Sequence, residues 1–215
     1  MFAKFFKDIR FNKSKDEPER WIVLDVETTG LDPSSDRLLA IAAIAIQVGT
    51  GFTKPAIVLG DSYEAVIKQD LASDKDNILV HHIGVGAQEN GRLPKEVLEE
   101  FRQWVGDAPL LAFHAPFDIG MISRAYHAYN LAPLQNDWID IEPLVAIAGG
   151  NSKARALDDW LVFFGLECSV RHQAASDALV TCELLLRIWD RMKKEGSSLR
   201  ELRYLAKQGA WIPRT

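Results

Sequence analysis

Cysteine is nearly absent from these 215 residues: only Cys168 and Cys182 occur. Their spacing offers neither a disulfide framework nor a thiolate metal site, and two lone thiols suit a reducing interior. Long apolar runs are missing too. The most hydrophobic stretch, residues 38–46, has the length of a core strand and falls short of the roughly 20 residues that span a bilayer. The start of the chain lacks the continuous apolar segment of a secretory signal, so the expected location is cytoplasmic. There is no internal repeat and no low-complexity tract. Basic charge is scarce where it would matter most: residues 21–186 hold 11 Lys/Arg against 23 Asp/Glu, a net of −12 in a chain of net −5. Such a segment is a poor polyanion binder by electrostatics alone, so short, end-directed contacts are expected rather than a long phosphate-tracking groove.

What is present describes one ordinary domain with extensions. Hydrophobic residues at 47% and charged residues at 26% suffice for a full core in a chain of this length. Phe2, Phe5, Phe6 and Ile9 recur at helical spacing, so residues 1–20 read as an amphipathic helix and a polar linker. That helix is expected to dock on the domain, with a membrane or partner contact as the other reading. Strands are expected at 21–27, 37–47 and 54–60, joined by turns that favour an antiparallel meander. Residues 72–92 read as irregular. Helices follow at 94–105, 117–128, 154–164, 173–193 and 197–208, with a short strand at 110–113. The resulting division is 1–20, a domain over 21–193, and a basic helical extension over 194–215. From 187 to 215 there are 8 Lys/Arg against 3 Asp/Glu, which read either as a solvated helix face or as a few phosphate contacts. The fold class is α/β with a central mixed sheet flanked by helices.

Chemistry concentrates in the acids. Asp25 and Glu27 lie two apart on an apolar strand, and side chains alternate along a strand, so both point to one side. Two neighbouring carboxylates are costly unless a hard divalent cation such as Mg²⁺ or Mn²⁺ takes their oxygens. Alone, the pair fits equally a strand end facing water. Asp118 follows a strand at the opening of a helix, where α/β folds build sites and where a first-turn acid also suits the helix dipole. Asp177 sits close to the buried face of a long helix. His172, five residues earlier, converges with it more easily from a loop before that helix than from a continuous helix. A loop histidine is the side chain suited to taking a proton from water near neutral pH, though a lone one is commonly a surface residue.

Taken in order, Asp25-x-Glu27, Asp118 after Phe113-His114-Ala115-Pro116-Phe117, and His172-x₄-Asp177 resemble the DEDDh 3′–5′ exonucleases. These are the DnaQ-like relatives of the proofreading epsilon subunit and of RNase T, on an RNase H-like fold. The runs Asp25-Val26-Glu27-Thr28-Thr29-Gly30-Leu31 and Arg171-His172-x-Ala174-x-x-Asp177-Ala178 carry the likeness over residues 21–189. The resemblance implies two divalent ions, Mg²⁺ or Mn²⁺, held by Asp25, Glu27, Asp118 and Asp177, with Asp25 bridging and Asp118 acting through bound water. It implies His172 as general base and release of nucleoside 5′-monophosphates. Thr28, Thr29, Gly30, Leu31, Ile83 and His114 would line the pocket for the terminal nucleotide. Leu31 there is either a wedge against a base or a core leucine closing the turn.

The chain departs from that family at three points: His114 stands for an Asn, Ala40 for a Glu, and His81-His82-Ile83-Gly84 alters a His-Gly-Ile-Thr/Ser motif. These bear on substrate preference and leave the acids and the base in place. The implied partners are 3′ ends of single-stranded nucleic acid, DNA ahead of RNA, with a DNA polymerase, another protein or a second copy of the chain as further candidates. A long polymerase-binding tail is not seen, which favours a free-standing repair or processing nuclease. The alternative reading is a catalytically weak nucleic-acid-end binder or polymerase-accessory module.

Overall fold

Strand β1 (Arg20–Thr28) reads Trp-Ile-Val-Leu before its first acid and is buried on both faces, as a central strand must be. The computed structural model describes residues 19–49, 53–150, 153–195 and 198–209. The expected helix over residues 2–11, most of its linker and the Gly49-Thr50-Gly51 turn centre lie outside them. β1 pairs antiparallel with β2 (Leu38–Gln47), which pairs antiparallel with β3 (Ala56–Val66). On its other side β1 runs parallel to β4 (Leu110–Ala112), which runs parallel to β5 (Trp138–Asp140). The order is β3-β2-β1-β4-β5, the mixed sheet expected from the sequence.

Alternate residues of β1 feed two cores. Ile22, Leu24 and Val26 face α3 (Pro94–Val105) and α4 (Ala115–Ala128), meeting Val97, Leu98, Phe101, Met121 and Tyr126. Trp21 and Val23 face the opposite layer, made of α5 (Ile141–Gly149), α6 (Leu157–Phe164), α7 (Ala174–Glu195) and α8 (Leu199–Gly209). The apolar side of α8, with Leu199, Leu202, Leu205 and Ala206, lies in that same core. No helix among the described residues is long and apolar enough to cross a membrane.

The structure amends several expected elements. β3 runs on to Val66: Gly60 is not a strand end but part of a bulge, where Val58 pairs with Ala45 and Ser62 with the adjacent Ile44. The irregular segment holds two short helices, α1 (Lys75–His81) and α2 (Val85–Glu89). β5 and α5 are additions that the sequence pattern did not delimit, a three-residue strand running straight into a helix capped by Asp140. α6 starts at Leu157 because Asp159 accepts from the amides of Arg155 and Ala156, closing an N-terminal cap there. Only α3 matches its expected bounds at both ends.

Candidate active site

The last turn of β1, the start of α4 and the start of α7 converge at one end of the sheet. Period-two alternation puts Asp25 and Glu27 on one side of β1. Asp177, in the first turn of α7 and 4% exposed, comes up against them. Oxygens of Asp25, Glu27 and Asp177 all lie within 4.8 Å of one another. Asp118, also 4% exposed, opens α4 close by, outside that triplet but near enough for its charge to act on Asp25.

Burial pushes the Asp25 carboxyl well above its ordinary value, and the charges of Asp118, Glu27 and Asp177 push it further. Glu27 is raised to about 8, by burial first and Asp177 second. Asp118 is raised by burial, with Asp140 and Glu27 adding to it and backbone hydrogen bonds at Asp118 and Val26 opposing. One oxygen of Glu27, Oε1, is shielded from solvent and accepts no hydrogen bond. An all-oxygen donor set with raised proton affinity and an orphaned carboxylate oxygen fits a hard divalent cation. Arg171 is the cation that opposes this crowding, its charge acting on both Asp25 and Glu27.

Asp177 is held by three donors from the loop ahead of α7. The Arg171 guanidinium pairs through Nη1 with Oδ1, the Cys168 thiol reaches Oδ1 at 3.4 Å, and the His172 amide donates to Oδ2 at 2.9 Å. His172 lies on that loop, the position its spacing favoured, exposed and with a left-handed backbone at φ 58°. The structure therefore tethers His172 to Asp177 through its main chain and leaves the residue exposed to solvent.

The residues expected to line a pocket lie on three segments: the end of β1 and its following turn, the stretch after α1, and the junction of β4 with α4. Thr28 is buried and its hydroxyl donates to the Gly30 carbonyl at 2.6 Å; the Thr29 hydroxyl donates to Asp36 Oδ1 at 2.9 Å. A Cβ at Gly30 would lie 2.5 Å from Asp36 Oδ2, so any larger residue there would have to displace the Asp36 carboxylate. Leu31 is 86% exposed, which removes the reading of a core leucine closing the turn. Ile83 is half-buried; its amide donates to His81 Nδ1 at 2.9 Å, and Asn77 of the same segment donates to the Thr28 carbonyl at 3.1 Å. That link fastens α1 to the end of β1. His114, exposed and left-handed at φ 63°, donates its amide to Asp140 Oδ1 at 3.0 Å and sets its ring edge-on to Phe113. Ala40 faces Glu27 across the β1–β2 ladder. Sequence reasoning missed the partners of Arg171, which are Asp158 and Asp177; the only signal was the arginine's place beside His172.

The family model RNase_T, described as exonuclease, matches residues 22–185. The chain is 28% identical over 176 residues to the PolC-type DNA polymerase III of Staphylococcus epidermidis, covering 82% of this chain and 12% of that protein. The Staphylococcus aureus counterpart is equally similar. The chain thus spans about an eighth of the length of these curated relatives. Among solved structures, E. coli Exonuclease I in complex with a dT13 oligonucleotide superposes with a TM-score of 0.68 at 17% identity, over 82% of this chain and 42% of that one. Cell-death related nuclease 4 (CRN-4) gives 0.69 at 15%, over 80% and 64%. These likenesses show a shared RNase H-like fold.

Proposed function

The chain belongs to the RNase T exonuclease family, and on that premise we propose that it is a metal-dependent 3′–5′ exonuclease acting on single-stranded ends, DNA in preference to RNA. The observation that carries this reading is the triplet Asp25, Glu27 and Asp177, whose oxygens lie within 4.8 Å of one another, with one buried Glu27 oxygen lacking a hydrogen bond. These three, with Asp118 beside them, would hold two divalent ions, Mg²⁺ or Mn²⁺. Divalent ions in such a site supply positive charge that activates water and stabilises the leaving oxygen of an in-line displacement.

The protein's own groups do the rest. An imidazole nitrogen of His172 takes the proton from the attacking water. The water oxygen bonds to the terminal phosphorus and the bond to the preceding 3′-oxygen breaks. That oxygen picks up a solvent proton, leaving a shortened strand and a nucleoside 5′-monophosphate. The Thr28–Leu31 turn, Ile83 and His114 position the last nucleotide, with exposed Leu31 as an apolar surface for a base. Residues 21–193 are taken as the catalytic unit, 1–20 as a partner-facing or domain-docking segment, and 194–215 as the basic extension. A cytoplasmic setting with 3′ ends as the main partner follows, and a polymerase partner or self-association is tested by co-purification and light scattering.

The decisive experiment is a time course on 5′-labelled single-stranded DNA and RNA of one sequence with Mg²⁺ or Mn²⁺, with EDTA and Asp25→Ala controls. A descending ladder that EDTA and the substitution both abolish is expected, faster on DNA. No ladder on either substrate, from folded protein with metal, would leave an end-binding module instead.

A further inference from the structure

Arg171 joins two acids at once. Its Nη1 pairs with Asp177 Oδ1, and its Nε donates to Asp158 Oδ1 at 2.5 Å. The two partners differ: the Asp177 side chain is 6% exposed, whereas that of Asp158, in the first turn of α6, is 58% exposed. Arg171 itself is 25% exposed, so its guanidinium spans from the buried acid cluster to its solvated rim. A planar fork of five donors makes this double grip, which a lysine ammonium could not reproduce.

A divalent ion among Asp25, Glu27 and Asp177 needs the carboxylate that Arg171 already holds. Among the described residues Oδ2 of Asp177 takes only the His172 amide and keeps a lone pair for an ion, but Oδ1 is shared by Arg171 and the Cys168 thiol. Guanidinium and ion repel each other when both sit on one carboxylate. Asp158 provides a second anchor already in place. Resting on the metal-site reading above, we propose that Arg171 is a built-in counter-cation of the ligand cluster: it holds Asp177 while no ion is bound, and metal loading shifts it from Asp177 onto Asp158. Arg171 is thus a positioning residue that keeps the acids together in the metal-free protein and sets how tightly metal must bind to replace it.

The test is Mn²⁺ binding to the metal-free full chain, read by calorimetry and by the electron paramagnetic resonance of free Mn²⁺, beside melting temperatures with and without the ion. Arg171→Gln should bind Mn²⁺ about tenfold more tightly. It should also melt below the parent without metal and level with it at saturating Mn²⁺. Asp158→Asn removes the second anchor, so it should weaken Mn²⁺ binding several-fold, and the double variant should follow Arg171→Gln. Unchanged or weaker binding by Arg171→Gln, or a shift in the same direction for both single variants, would overturn the inference and mark Arg171 as a plain structural brace. A parent chain that takes up no Mn²⁺ would overturn the metal site and this inference together. Normal uptake by the parent with no change in the variants sinks only the role of Arg171.

Discussion

At Glu27 a shielded oxygen without a hydrogen bond coincides with a carboxyl raised from 4.5 to about 8. The raised value belongs to the folded state, so between these two limits the fold binds more protons than the unfolded chain. Stability therefore falls as pH rises through the window from about 4.5 to 8 and levels off above it. Metal-free protein should melt lower at pH 8 than at pH 5.5, and saturating Mn²⁺ should remove most of that slope. Metal uptake should release protons, so apparent Mn²⁺ affinity rises from pH 6 to 8. Calorimetry in two buffers of different ionisation enthalpy counts those protons, and no release would mean that the acids are already ionised. Glu27→Gln removes a carboxyl that the fold holds largely protonated at a cost the unfolded chain does not bear. At pH 7.5 it should raise the metal-free melting temperature by about 2–4 °C, the shift that about 1 kcal/mol gives in a chain of this size, while Mn²⁺ no longer stabilises it. A lower melting temperature would show that the native carboxylate is already compensated. At this scale the sequence was informative about which acids matter, because strand alternation and a helix's first turn fix where Asp25, Glu27 and Asp177 point. It was silent on Arg171, whose partners lie 13 and 6 residues away and meet it only through loop geometry.

Among elements, legibility followed length and periodicity. α3 and the long α7 carry several turns of apolar spacing and a proline or a polar loop at the start, so their bounds fell near where the pattern put them. α1 and α2 have seven and five residues, too few for periodicity to emerge, and they are held instead by a polar network. His81, 2% exposed, contacts Ser73 and Asn77, while Gln88 bonds Ser73 and the Ile83 carbonyl. α1 ends at His82 in a left-handed conformation, φ 60°, whose amide bonds back to the Ile78 carbonyl. Glycine is the residue that adopts such a terminus without strain. His82→Gly should raise the melting temperature by about 2–4 °C, on the order of 1 kcal/mol of relieved backbone strain. Its ring is exposed, and Mn²⁺ affinity should stay as it is. If stability rises but the Michaelis constant for a DNA 3′ end also rises, the ring touches substrate; if stability falls, the imidazole has a packing role that its exposure conceals.

For the whole molecule, charge decides how a strand can be gripped. The chain carries a net −5, and its basic excess lies in the last 29 residues. The fold uses several of those cations internally. Arg187 bonds the Phe164 carbonyl, Arg191 bonds the Ala148 carbonyl and lies over the Phe164 ring, and Arg203 pairs with Asp137 at 2.5 Å. Three of the eight C-terminal cations are thus spent on seating α7 and α8, and with the acidic middle of the chain this makes strand contacts few and concentrated at the 3′ end. Each phosphate contact on a single strand contributes about −0.7 to the slope of log affinity against log salt. Two or three contacts then cost roughly tenfold between 50 and 200 mM salt, where a continuous basic groove would lose a hundredfold or more. Measuring kcat/KM on a 5′-labelled single strand across that range, at saturating Mn²⁺, gives the slope directly. A value near −2 supports an end-gripping enzyme whose bound cations and loop contacts supply most of the attraction. A value near −5 would require a phosphate-tracking path, and Lys→Gln substitutions along the basic segment would then have to flatten it.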